Sequence, residues 1–230
     1  MTEPASAVSA TASAPLQRFW DSTVGKKIVM AATGLVMVLF VIGHMAGNLL
    51  AFAGPARINA YGAFIHGTGE LLWLVRIVLL TSVVLHIIAA YQLTRIEMAA
   101  RPVAYARREP QVSTLAARTI RWGGALLLVF IVFHLLHFTT GTVHPDFVKG
   151  DVYGNMVVGF RVWPVALFYL LAMVALGLHL YHGTWSALRT LGVARPSGRP
   201  LHRRAATVLA IVVAGGFAVI PLAVMLGLLR

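Results

Sequence analysis

Five long apolar segments decide what kind of fold this chain can adopt. Stretches of about 20 mostly apolar residues occur at 28–50, 71–94, 122–140, 164–188 and 205–228. A helix of that length crosses the hydrocarbon layer of a bilayer. Because the alternation typical of β-barrel strands is not visible, helices must satisfy the backbone hydrogen bonds within the lipid. We therefore expect an all-α, polytopic membrane protein built as a five-transmembrane-helix bundle.

The composition agrees with one membrane domain preceded by a short polar segment. Hydrophobic residues make up 59% of the 230 residues and charged residues only 11%, which is far from the composition of soluble domains. Residues 1–21 begin with a tract rich in Ala, Ser and Thr, so we expect a disordered or interfacial cytoplasmic N-terminus. Residues 22–230 form the membrane domain, with Ser22 or Thr23 capping its first helix and with outer loops at 54–69 and 143–161.

The basic residues are distributed as membrane topology requires. The formal net charge of +12 suggests nucleic acid as a partner, but its placement argues against that. Most basic residues precede the first segment or lie between the second and third or the fourth and fifth: Arg18, Lys26, Lys27, Arg95, Arg101, Arg107, Arg108, Arg118, Arg121, Arg189, Arg195, Arg199, Arg203 and Arg204. The other connections and the C-terminus hold Arg57, Lys149, Arg161 and Arg230. By the positive-inside rule the N-terminus is cytoplasmic and the C-terminus is outside. Topology alone explains these charges, and contact with anionic lipid or an acidic partner is the further alternative.

The chain contains no cysteine, which narrows the redox chemistry that it can hold. Disulfides, iron–sulfur clusters and thiolate-ligated haem are excluded within the chain. The Cys-x-x-Cys-His attachment of c-type haem is excluded as well. A haem bound to this chain is therefore held non-covalently.

Each of the first four segments carries a histidine well inside its apolar zone. An ionisable side chain at that depth is costly and indicates a functional site. From the helical rise, His44 and His134 lie about 24 Å and about 18–20 Å from the inner edge. His86 and His179 each lie about 14 Å from that edge. The resulting outer and inner pairs predict two bis-histidine haems b, with these imidazoles as axial ligands of the iron.

The four histidines also have alternative roles that do not involve haem. A histidine taken singly can instead hydrogen-bond a neighbouring helix. A single metal centre with all four imidazoles would need them at one level, because metal–nitrogen bonds are only about 2 Å long. Gly43, Gly47 and Gly183, beside the histidines, fit either close helix packing or space for a porphyrin.

Two further histidines lie one helical turn from a predicted ligand. His137 follows His134, and His182 follows His179, on roughly the same helix face. We predict that both contact a haem propionate or the quinone, and the alternative is an interfacial histidine without any cofactor contact. The remaining histidines, in the connections, are expected to be solvated: His66, His144 and His202.

Several blocks of the sequence resemble one family. The run Ala32-Thr33-Gly34-Leu35 through Phe40-Val41-Ile42-Gly43-His44-Met45 resembles the first helix of the single-chain dihaem cytochrome b (b558-type) subunit of succinate dehydrogenase and fumarate reductase. The run His179-x-x-x-Gly183-x-Trp185-Ser186 is similar to the fourth helix of that family. The family pattern also agrees with the spacing from Arg121 to His134, with the spacing from His44 to His86 and with the pair Trp163-Pro164. The resemblance covers nearly the whole chain, and the first block is its most specific part.

The resemblance implies a fold, cofactors and partners. It implies five membrane helices and two haems b, with His44, His86, His134 and His179 at the four ligand positions. Electrons would pass between a cytoplasmic iron–sulfur subunit, which binds the FAD flavoprotein subunit that oxidises succinate, and membrane quinone, usually menaquinone. The complex would be respiratory complex II of the tricarboxylic acid cycle, in the cytoplasmic membrane of a prokaryote. This chain would be a subunit without the succinate site.

Two charged residues of the second segment are candidates for quinone chemistry, which requires proton carriers beside the ring. Glu70 loosely resembles a carboxylate that some dihaem members use near the outer haem. The alternative is a solvated acid at a helix start, stabilised by the helix dipole. Arg76 lies deeper and needs a charged partner, for which a propionate of the outer haem is a candidate.

Two rival functions remain. The same histidines would serve the cytochrome b subunit of a hydrogenase or formate dehydrogenase. A haem-free membrane anchor or transporter is the alternative from another class, and such a protein would be colourless when purified.

Overall fold

The chain forms a bundle of helices in a computed structural model that describes residues 15–100, 114–193 and 199–230. The predicted disorder of residues 1–14, and part of the basic connections, lie outside these ranges. The helices are α1 (Pro15–Asp21), α2 (Thr23–Asn48), α3 (Pro55–Gly67), α4 (Glu70–Ala99), α5 (Leu115–His134), α6 (Val152–Arg161), α7 (Trp163–Thr190) and α8 (Arg199–Met225). A 3₁₀ turn, Leu49–Ala53, continues α2, and a π-helical turn, Leu135–Thr139, continues α5. No strand occurs in the described ranges.

Five helices are long and apolar enough to cross a membrane, which confirms the prediction of a multi-pass α-helical membrane protein. The spans are Thr23–Ala53, Glu70–Ala99, Leu115–Thr139, Trp163–Thr190 and Leu201–Met225. Most of these spans are longer than the predicted segments. Hydropathy identifies only the apolar centre of a helix, whereas polar capping residues set its ends. Ser22 Oγ accepts a hydrogen bond from the N–H of Gly25 at the start of α2, as predicted. Thr114 caps α5 in the same way through Ala117.

The spans pack in a definite order around the centre of the bundle. Helix α2 packs against α4 on one side and against α7 and α8 on the other, and α5 packs against α7. Gly177 brings α7 close to α8, since a Cβ there would lie 3.3 Å from the Cβ of Ala214. Histidines of the predicted pairs are carried by α2, α4, α5 and α7. Helix α8 packs against two of these helices, α2 and α7.

Two short helices lie where the sequence predicted outer loops, and these predictions were wrong in that respect. Pro55 begins α3, and the Asp151 carboxylate caps α6 by accepting from the N–H of Gly154 at 3.0 Å. The Asn59 side chain joins the two helices, because it donates to Asp151 Oδ1 at 3.0 Å and accepts from the N–H of Tyr153 at 2.9 Å. We call the end that carries α3 and α6 the outer end, after the predicted topology, and the opposite end the inner end.

The contact between α3 and α6 has an electrostatic consequence. The N–H of Gly154 and the side-chain amide of Asn59 both donate to the Asp151 carboxylate and hold its pKa below the usual value. Donors that favour the charged form lower a carboxyl pKa. The α3–α6 contact is therefore strongest when Asp151 is ionised.

A packed aromatic and aliphatic core closes the outer end. Ile58 of α3, Phe160 of α6 and Tyr169 of α7 are buried together with the outer part of α8. Phe133 and Phe138 pack against the same cluster from α5 and its π-helical turn. This core fixes the outer ends of α5 and α7 relative to each other.

Candidate functional site

The histidines of the four spans meet in two pairs. The imidazole rings of His44 on α2 and His134 on α5 have centroids 5.8 Å apart. Those of His86 on α4 and His179 on α7 have centroids 6.2 Å apart. The structure thus brings together the same pairs that helix depth predicts.

The two pairs lie at different levels of the bundle. Nδ1 of His86 lies 3.0 Å from the carbonyl oxygen of Met30 and 3.3 Å from Oγ1 of Thr33, both on α2. His44 lies eleven residues beyond Thr33 on that helix, which corresponds to about 16 Å of rise. Among the described residues no group of three or more His, Cys, Asp or Glu side chains could hold a metal ion.

A hydrogen bond determines which ring nitrogen of His86 is free. The Met30 carbonyl can only accept, so Nδ1 of His86 carries the proton and Nε2 keeps its lone pair. Nδ1 of His134 lies 3.3 Å from the hydroxyl of Tyr169, and Nε2 of His134 makes no hydrogen bond to another described residue. A metal-binding histidine usually donates its other N–H to such an acceptor, which orients the ring.

The other member of each pair is less constrained. Nδ1 of His44 lies 3.4 Å from Nδ2 of Asn48, whose side chain also donates to the His44 carbonyl at 2.7 Å. Nδ1 of His179 is buried and has no hydrogen-bond partner among the described residues. A buried ring nitrogen without a partner is rare in folded proteins, so Nδ1 of His179 has unused hydrogen-bonding capacity.

The donor set and its spacing fit a haem in each pair. Two imidazoles on opposite sides of one iron, with metal–nitrogen bonds of about 2 Å, place their ring centroids about 6 Å apart. The observed separations are 5.8 Å and 6.2 Å. The planes make angles of 84° and 54°, so the rings face one another edge-on or tilted and do not stack. Ring stacking is therefore not what holds either pair together.

The glycines near the histidines divide into two roles. A Cβ on Gly47 would lie 2.5 Å from a ring carbon of Tyr61, so Gly47 serves close packing against α3. A Cβ on Gly43 or on Gly183 would meet nothing within 4 Å. Close helix packing therefore does not explain these two glycines. Gly34 borders the inner pair, where a Cβ would lie 3.4 Å from Cε1 of His86.

A second histidine cluster lies immediately outward of the outer pair. His137, in the π-helical turn, is fully buried, and its Nδ1 lies 3.0 Å from the Tyr169 hydroxyl. The rings of His137 and His144 stack with centroids 4.9 Å apart. Gly159 makes this stack possible, since a Cβ there would lie 2.7 Å from Cε1 of His137. The prediction that His137 contacts a propionate or quinone stays a prediction.

The expectation that His144 is solvated was wrong. His144 is buried, its Nε2 donates to the carbonyl of Asn155 at 2.9 Å, and its Nδ1 accepts from the N–H of Asp146 at 3.1 Å. The outer connection folds back over α6, which sequence alone does not reveal. Both ring nitrogens are satisfied by backbone groups, so His144 is a structural residue. His66, by contrast, is exposed on α3, as predicted.

Sequence reasoning missed Tyr169. Its hydroxyl joins His134 and His137, at 3.3 Å and 3.0 Å, and it belongs to the core of the outer end. The available signal was a hydroxyl inside an apolar span, which needs a partner in lipid. Tyr169 thus connects the predicted ligand His134 to the outer histidine cluster.

The remaining candidates are not members of the histidine pairs. Glu70 is the exposed first residue of α4. Arg76 stacks its guanidinium on the ring of Trp73 at 5.0 Å, and no ion pair to it is present in the described part of the chain. His182 lies one turn beyond His179 and is half-buried. Any role of these residues in quinone or haem binding is still a prediction.

The site as a whole presents two nitrogen-donor pairs inside an apolar bundle, with two of the rings oriented by partners on neighbouring helices. Such pairs can hold two planar metal complexes at separate depths, which suits electron transfer across part of a membrane. Comparison of the chain with protein-family models, with curated proteins and with solved structures gave no match.

Proposed function

We propose that this chain is the membrane-anchor cytochrome b subunit of a succinate:quinone oxidoreductase. Four histidines from four spans meet in two pairs, with ring centroids 5.8 Å and 6.2 Å apart, and this observation carries the proposal. His44 and His134 would hold the outer haem b, and His86 and His179 the inner one. The blocks around His44 and His179 that resemble the dihaem family direct the proposal to succinate and fumarate.

The chain's own residues prepare the two sites. Haem b, when bound, supplies one-electron transfer, and two imidazoles per iron leave no open position for oxygen. The Met30 carbonyl and Thr33 hydroxyl hold the His86 ring from α2. The Tyr169 hydroxyl holds the His134 ring from α7. These contacts are made by Nδ1 of each ring, so Nε2 of His86 and of His134 would be the atoms that bind the iron.

Quinone would react near the outer pair. Glu70 stands at the outer start of α4, where its carboxylate is exposed and can exchange protons with water. A proton carrier with such access is what quinone reduction or quinol oxidation requires. Arg76 and its partner Trp73 lie between this entrance and the level of His86 on the same helix.

The basic inner end supports docking of an iron–sulfur subunit, which in turn would bind the FAD flavoprotein subunit. Of the described basic residues at this end, Arg121 forms an ion pair, with Glu97 at 2.8 Å. That pair is exposed and contributes little to stability. A surface with this excess of positive charge attracts an acidic protein face and speeds its association.

The decisive experiment is purification of the complex with its partners, followed by a reduced-minus-oxidised spectrum and haem stoichiometry. We expect two haems b per chain, and co-purified iron–sulfur and flavoprotein subunits that reduce quinone with succinate. A colourless preparation would refute the cytochrome assignment. Co-purification with hydrogenase or formate dehydrogenase subunits would leave the haem assignment in place but would assign the chain to that enzyme and not to succinate oxidation.

A further inference from the structure

Two arginines from different helices converge on one tryptophan at the inner end. The guanidinium of Arg189, near the end of α7, lies 5.8 Å from the centroid of the Trp185 ring. The guanidinium of Arg203, near the start of α8, lies 5.2 Å from the same centroid. Both arginines are exposed, and Trp185 is half-buried. The indole thus has two guanidinium groups within 6 Å of its centroid at the junction of α7 and α8.

This cluster has no counter-charge among the described residues. The ion pair in the described ranges joins Arg121 to Glu97 and does not involve either arginine. The connection 194–198, between the two helices, contains no acidic residue. Cation–π contacts with the indole stabilise each guanidinium, but they do not relieve the repulsion between the two. An anion that bridges both guanidinium groups would do so.

The surroundings indicate an amphiphilic ligand. On the bilayer side of Arg203, Val208 of α8 is 60% exposed and Ile211 is 66% exposed. Tryptophan is enriched at the headgroup level of membranes, and basic residues there attract anionic lipid. A ligand with an anionic head and apolar chains would cover both kinds of surface at once.

We propose that Trp185, Arg189 and Arg203 form a binding site for the phosphate of an anionic phospholipid. The phosphate would bridge the two guanidinium groups, while the acyl chains lie along the exposed Val208 and Ile211 side chains of α8. The lipid would join the inner ends of α7 and α8. The site lies outside both histidine pairs and does not depend on haem.

The test is titration of the purified complex with dioleoylphosphatidylglycerol, with native mass spectrometry to count bound lipid. Dioleoylphosphatidylcholine, which has the same chains but no net charge, is the comparison ligand. We expect one phosphatidylglycerol molecule to bind tightly, and the R189Q/R203Q double variant to weaken that binding by about 30-fold. The matched control, R118Q/R204Q, removes the same charge from the same end and should leave the binding unchanged.

Several results would overturn the proposal. Equal loss of lipid in both double variants would mean that general charge, and not this cluster, attracts the lipid. Equal binding of the two lipids, or displacement of phosphatidylglycerol by millimolar inorganic phosphate, would exclude a phospholipid-specific site. Unchanged lipid binding with loss of haem, or of a soluble subunit, from R189Q/R203Q would assign the arginines to a propionate or to a protein partner.

Discussion

The carbonyl oxygen of Met30 and Nδ1 of His86 lie 3.0 Å apart across the α2–α4 interface. A backbone carbonyl is a fixed acceptor, so the backbone of one span sets the tautomer of a side chain on the next. The ring of His86 is thereby held with Nε2 free, in the pair that it forms with His179. This relationship is independent of any cofactor and is already present in the folded chain.

Loss of a single histidine should remove one haem only. We expect His44→Ala or His134→Ala to lose the outer haem, and His86→Ala or His179→Ala the inner one, because a bis-histidine iron needs both donors. Haem stoichiometry and the reduced spectrum measure this, with His66→Ala as an exposed control that keeps both haems. Two haems per chain in any of the four variants would contradict the assignment. A haem lost from His137→Ala but kept in His134→Ala would move the ligand on α5 by one turn.

Tyr169→Phe should change the outer site without removing its haem. The substitution deletes the hydroxyl shared by His134 and His137 and leaves a buried donor or acceptor unpaired, at a cost of about 1–3 kcal/mol. Loss of the hydrogen bond makes the His134 imidazole a weaker donor, so the potential of one haem should rise while the other is unchanged. A redox titration with thermal denaturation checks both effects. Tyr181→Phe, on the same helix and without a hydrogen bond from its hydroxyl to any described residue, is the matched control and should match the wild type.

Glu70→Gln should slow quinone turnover and leave both haems bound. The substitution keeps the size of the side chain but removes its ability to carry a proton. Succinate-driven quinone reduction measures the loss, and we expect at least about a tenfold decrease in rate. Glu97→Gln, at the inner end of the same helix, is the control for a general effect of lost negative charge. Unchanged turnover in Glu70→Gln would remove this residue from the mechanism.

The α3–α6 contact should weaken in acid. The pKa of Asp151 in the folded chain is held below its ordinary value by Gly154 and Asn59. Its stabilising contribution is therefore complete above the unfolded-state pKa of about 3.9 and is lost as the pH falls through the lower folded-state pKa. Hydrogen exchange at the amides of Tyr153 and Gly154, corrected for the intrinsic rate, should speed up in that range.

Asp151→Asn tests the origin of that pH dependence. Asparagine keeps a side-chain oxygen for the cap of α6 but does not titrate. The exchange of the variant should therefore be independent of pH between about 3 and about 6 after the same correction. The same acid-induced change in both proteins would show that another group is responsible.

Much of the architecture could be predicted because one physical rule dominates in lipid. Apolar length identified the spans, and Ser22 was identifiable as a cap from its position before an apolar run. Helix rise, combined with the alternating span directions predicted by the positive-inside rule, paired His44 with His134 and His86 with His179. These are local properties, and the chain between the spans does not alter them.

The features that escaped prediction depend on contacts between distant parts of the chain. The Asn59–Asp151 contact joins two connections that the sequence presents as separate loops. The burial of His144 depends on the small size of Gly159 on a different element. The role of Tyr169 depends on the packing of α7 against α5, which places its hydroxyl beside His134 and His137. No hydropathy or spacing rule for single segments contains this information.

The one-sided packing of α4 and α5 has a consequence for assembly. Each of them packs against one other span, α4 against α2 and α5 against α7, and 6% and 0% of their most apolar windows are buried. In lipid, helices that have inserted independently associate afterwards through such contacts, so the spans with the fewest contacts dock last. Because α4 carries His86 and α5 carries His134, both histidine pairs would then be completed late in biogenesis, after α2, α7 and α8 have assembled.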